Sequence, residues 1–144
     1  MPIWIKIIFF SLNSLLIPTT FAYEDVKISK VMSVYDGDTI RVNIDSFPDI
    51  IGKNIRIRLK GIDTPEIKGK CQKEIDLAIM ARDYLRNAIN QSSQIELRNI
   101  ERGKYFRIVG DLYIDSVNIS KILQNKGLVY SYNGGKKKTW CYSL

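Results

Sequence analysis

Ile55-Arg56-Ile57-Arg58-Leu59-Lys60-Gly61-Ile62-Asp63-Thr64-Pro65-Glu66 alternates apolar and basic side chains, then breaks into a glycine, two acids and a proline. Alternation of period two predicts a half-buried strand whose outer face is basic. Pro65 biases Thr64 away from helical geometry, so Asp63 to Glu66 is expected to open a loop. Upstream, the Val- and Ile-rich runs 26–35 and 39–47 flank Asp36-Gly37-Asp38, the composition of two strands joined by a tight turn. Residues 48–54 have loop composition.

Downstream, Ile75, Ala78, Ala81, Leu85, Ala88 and Ile89 recur every three or four residues, which predicts an amphipathic helix from about Gln72 to Asn90. Residues 94–100 and 107–114 return to strand composition around a charged turn near Arg102 and Gly103. A shorter helix follows, with Asn118 as its cap, Ile119, Ile122 and Leu123 as its apolar face and Gly127 as its left-handed stop. Residues 128–132 supply a short final strand. The expected fold is α+β, and its five short strands with a basic face are compatible with a small closed barrel.

The 144 residues suffice for one domain. Lys and Arg outnumber Asp and Glu by 22 to 15, a net charge of +7 that favours polyanionic partners such as nucleic acid or an acidic membrane surface. Lys6, an apolar run from Ile7 to Ile17, Pro18 and then Thr20-Phe21-Ala22 have the layout of a signal peptide cut after Ala22. The expected product is a single domain, 23–144, ending in a short basic tail, secreted or periplasmic; an uncleaved anchor is the alternative. In an oxidising compartment Cys71 and Cys141 are expected to be bridged rather than free. Two thiols in a chain without histidine do not make a four-ligand zinc site.

Two acidic clusters, Asp36-Gly37-Asp38-Thr39 and Asp63-Thr64-Pro65-Glu66, stand at strand ends where both could face one cleft. One carboxylate from each loop and a backbone carbonyl form a workable partial shell for calcium, leaving positions for water and a substrate phosphate. Asp-Gly is equally ordinary hairpin chemistry. Arg58 and Arg107 add guanidinium groups suited to phosphate oxygens.

Taken together, Val34-Tyr35-Asp36-Gly37-Asp38-Thr39, Ile57-Arg58-Leu59, Gly61-Ile62-Asp63-Thr64-Pro65-Glu66 and Tyr105-Phe106-Arg107 resemble the successive signatures of the staphylococcal-nuclease family. The resemblance spans about residues 27 to 132 and implies a five-stranded barrel of the oligonucleotide/oligosaccharide-binding (OB-fold) type packed against two or three helices. It implies that Asp38, Asp63 and the main-chain oxygen of Thr64 hold Ca2+, with Asp36 supporting the metal site. Glu66 resembles the general base, Arg58 and Arg107 the pair that stabilises the transition state at phosphorus, and Tyr105 and Tyr130 residues lining the nucleotide site. The implied activity is hydrolysis of DNA and RNA to 3′-phosphate ends by a monomer without a stable protein partner. The rival reading is a catalytically weak or silent nucleic-acid-binding module. Phe106 replaces the glycine common in the family, and the ending after Tyr132 looks like that of the shorter bacterial branch.

Overall fold

The computed structural model describes residues 23–141; the expected signal peptide lies outside them. Among the described residues nine strands form: β1 (Val26–Lys27), β2 (Lys30–Val34), β3 (Thr39–Asn43), β4 (Ile55–Leu59), β5 (Ile62–Asp63), β6 (Ile95–Arg102), β7 (Ile108–Ile114), β8 (Val117–Asn118) and β9 (Tyr130–Ser131). Three helices accompany them: α1 (Asp49–Gly52), α2 (Gln72–Asn90) and α3 (Ile119–Asn125). Among the described residues, no helix is long and apolar enough to cross a membrane.

The main sheet runs β1-β6-β7-β4-β3-β2, with β8 beside β7, and only β4 and β7 are parallel. The single strand expected over 26–35 divides at Ile28. The Ile28 N–H donates to Ile95 O and the Ser29 N–H to Asn43 O, each at 2.9 Å. Successive residues thus bond to β6 at one edge and β3 at the other. One bent strand joins both edges, and the curled sheet agrees with the OB-type barrel that the family resemblance implies.

The alternation in β4 works as expected, with Ile57 and Leu59 fully buried among Ile40, Val42, Leu97 and Leu112. Helix α2 covers this core with Ala81 and Leu85, its small and branched side chains allowing close packing. In α3 the Asn118 side chain accepts from the N–H groups of Ser120 and Lys121, and Gly127 takes φ 68°, which closes the helix as its glycine predicts.

Further elements differ from the sequence reading, among them the short strand β8 ahead of α3. Residues 49–52 form a one-turn helix after Pro48, too short to show a helical period. Ile62 and Asp63 are a strand paired with Ser131 and Tyr130, so the first acid of the expected loop is held by a ladder. The turn after β6 carries Tyr105 at φ 58°, a left-handed conformation that no residue type signalled there.

Cys71 and Cys141 are bonded, with Cα atoms 6.0 Å apart across a separation of 70 residues. The bridge ties the start of α2 to the tail. In the loop-entropy description a closure of that length stabilises the fold by roughly 4 kcal/mol. Cys141→Ala should therefore lower the melting temperature under oxidising conditions, and reductant should bring the wild type down to the same value. A wild type indifferent to reductant would contradict a stabilising bridge.

Candidate active site

The turn between β2 and β3 is shaped by its own acids. Asp36 Oδ1 accepts the Asp38 N–H at 3.0 Å, and the Tyr35 N–H reaches Thr39 O at 2.9 Å. This local bond leaves Asp38 aimed inward. Its Oδ1 accepts from the Thr39 hydroxyl at 3.0 Å, and its Oδ2 accepts the Thr64 N–H at 3.1 Å, directly bridging the two acidic segments. Gly37 permits the approach. A Cβ there would lie 2.5 Å from Thr64 Oγ1 and 2.8 Å from the Ala81 methyl, so any larger residue would push the turn away from α2.

Because β4 and β7 are parallel with Ile57 opposite Ile108, Arg58 on β4 lies beside the start of β7, where Arg107 stands. The Arg58 guanidinium ion-pairs with Asp38, donates to Ile62 O at 3.0 Å, and comes within 3.7 Å of Asp63. It bridges the two acids rather than standing free. Arg107 has a buried Nε with no hydrogen-bond partner, a donor left over in the cleft wall.

Asp38 and Asp63 are only 4% and 3% exposed. Burial lifts the Asp38 carboxyl from an ordinary 3.8 to about 6; Arg58 opposes that shift and Asp36 adds to it. Asp63 Oδ1 lies 2.7 Å from the Lys137 ammonium yet receives no well-aligned hydrogen bond. Lys137 also reaches Glu66 at 3.4 Å. Partial burial works against its charge, but the close contact with Asp63 and the attraction of both acids outweigh this and raise its pKa.

Glu66, by contrast, is exposed (57% of its side chain). Its loop is tied down by Glu74 on α2, a buried acid that accepts the Lys70 N–H at 2.8 Å and, more weakly, the Glu66 N–H at 3.4 Å. Asp36, Asp38, Arg58, Thr64, Glu66 and Arg107 line one cleft of about 430 Å³, together with Tyr35, Thr39, Arg56, Tyr132 and Lys137. Asp63 lines the adjoining hollow, which shares Thr64, Glu66 and Lys137.

The tyrosines are placed differently from one another. Tyr105 is 94% exposed and lines a neighbouring groove with Arg58, Arg107 and Tyr132. Tyr130 stacks on Trp140, centroids 3.8 Å apart and planes 11° from parallel, and it is Tyr132 that faces the cleft. Arg56 was legible as the other arginine on the basic face of β4. Lys137 and Glu74 were not: one is among three consecutive lysines, the other an ordinary polar position on an amphipathic helix.

The donors here suit a hard cation. They are carboxylate oxygens, one on a carboxyl short of positive compensation and another without an aligned partner. Among the described residues, no three of these acids bring oxygens within 4.8 Å of one another. The one tight trio, Cys71, Glu74 and Cys141, has its two sulfurs bonded to each other and offers no thiolate.

A family model described as "Staphylococcal nuclease homologue" matches residues 56–141. Over 84 residues the chain is 30% identical to a "probable staphylococcal-like nuclease" of Oryza sativa subsp. japonica and 31% identical to a "staphylococcal-like nuclease" of Arabidopsis thaliana. Each match covers 58% of this chain, but only 23% and 24% of those proteins, so it corresponds to about a quarter of their length. An uncharacterised 38.1 kDa protein of Capnoides sempervirens is 29% identical across 81% of this chain and 36% of its own length.

The raised Asp38 pKa has a definite sign for stability. Between pH 3.8 and about 6 the folded state binds more protons at this carboxyl than the unfolded state, so stability falls as pH rises through that window and is level above it. In chelator, the stability of the wild type relative to Asp38→Asn should drop by roughly 1 to 3 kcal/mol from pH 4 to pH 7. Denaturant titrations of both proteins at the two pH values measure it; a difference that does not change with pH would show that Asp38 titrates normally.

Proposed function

The chain belongs to the staphylococcal nuclease family, and on that footing we propose that it is an exported, calcium-dependent nuclease that hydrolyses phosphodiester bonds in DNA and RNA. The observation that carries the proposal is that Asp38, Arg58, Thr64, Glu66 and Arg107, drawn from four separate parts of the chain, line a single cleft. Two relatives named as nucleases support the same reading.

A phosphodiester is anionic, and negative charge grows on its non-bridging oxygens as water attacks phosphorus. Asp38, Asp63 and the main-chain oxygen of Thr64 are the groups that would hold calcium, while Asp36 fixes the turn. Calcium bound there supplies positive charge to the phosphate and lowers the cost of deprotonating water. Arg107, with its unused Nε, is poised to donate to a phosphate oxygen, and Arg58 can do so once its acids are otherwise compensated. With no histidine in the chain, a carboxylate is the available base; Glu66 is accessible at the cleft and removes the proton from the attacking water. Breaking the bond to the 5′-oxygen leaves a 3′-phosphate and a 5′-hydroxyl. Tyr132 and the exposed Tyr105 offer ring faces to the flanking nucleotides.

Export rests on the leader-like residues 1–22 and fits the Cys71–Cys141 bridge, which needs an oxidising compartment to persist.

Glu66→Gln should reduce turnover on single-stranded DNA about 10²- to 10⁴-fold in the presence of calcium, while oligonucleotide binding stays within a few fold. Activity retained by the variant, or a wild type equally active in chelator, would remove the basis of the mechanism.

A further inference from the structure

The tail from Asn133 to Cys141 is held as a strap rather than left as a solvated end. Gly134 and Gly135, at φ 100° and 85°, turn the chain back, and the Tyr132 hydroxyl donates to Gly135 O at 3.0 Å. At the far end Trp140 is buried against Tyr130, and Cys141 is bonded to Cys71. Between these anchors Lys137 and Lys138 part company. Lys138 lies over the Tyr130 ring, 5.2 Å from its centroid, whereas Lys137 enters the cleft and puts its ammonium 2.7 Å from Asp63 and 3.4 Å from Glu66.

We infer that Lys137 is a resident counter-ion that competes with the divalent metal for Asp63 and so sets how much metal the site requires. The inference rests on the metal site proposed above. An ammonium and a hard divalent cation both seek the same buried oxygen, and like charges so close together cannot share it. Metal entry therefore requires the ammonium to leave Asp63, and the free energy of that ion pair is subtracted from metal affinity. The strap strengthens the competition, because both its ends are fixed and the lysine stays near the acid after displacement.

Calorimetric titration of Ca2+ into the purified protein without substrate tests this directly. Lys137→Met should bind Ca2+ about tenfold more tightly than the wild type, and Lys137→Arg, which keeps the charge, should remain close to wild type. Lys136→Met makes the same change in net charge on the same tail and should shift affinity less than twofold. Equal affinity of Lys137→Met and wild type would overturn the inference. So would weaker binding by Lys137→Met, or a Lys136→Met effect as large as that of Lys137→Met. If neither the wild type nor Lys137→Met binds Ca2+, the metal site itself fails, an outcome separable from equal but measurable affinities.

Discussion

Placing Asp38 and Asp63 side by side below the surface obliges the rest of the molecule to supply positive charge and directed donors around them. Arg58 answers from β4, the Thr64 N–H from the neighbouring loop and Lys137 from the tail. Even so burial outweighs Arg58 at Asp38 and lifts its carboxyl to about 6. A carboxylate pair in this condition is poor structural cement, since buried charge costs several kcal/mol unless well paired. The cation site proposed above would give such a pair its use.

The fold was legible wherever a pattern ran long enough. Five turns of α2 and the alternating β4 declare their buried faces, and Asn118 and Gly127 mark the two ends of α3 because capping depends on local chemistry alone. What escaped were contacts made at a distance. The split at Ile28 depends on which strands lie on either side of it, and the pairing of Asp63 with Tyr130 joins residues far apart in the chain. The site shows the same division. Asp38, Arg58, Thr64, Glu66 and Arg107 were named from their neighbours in sequence and meet in one cleft, but only tertiary packing separates Lys137 from the lysines beside it. Arg58 is the instructive middle case: its identity was readable, whereas its engagement with both acids was not.

Helix α2 links stability to chemistry. Its N-terminal end carries the disulfide, Glu74 anchors the loop that presents Glu66, and Ala81 packs where Gly37 must stay small. A single rigid element thereby positions the exposed acid, the tail and the first acidic turn, which is how a loop-borne site acquires precision.

The bent first strand carries a wider implication. Sheets with raw borders recruit extended chains from neighbouring molecules, and barrels avoid this by having no border. Here the seam depends on two adjacent peptide groups, those of Ile28 and Ser29, which face opposite ways. Loss of Val26 to Ser29 would strip β1 from β6 and leave that border open, while β3 keeps its ladder with β2. A cut within those few residues would turn a self-contained shell into a template for aggregation.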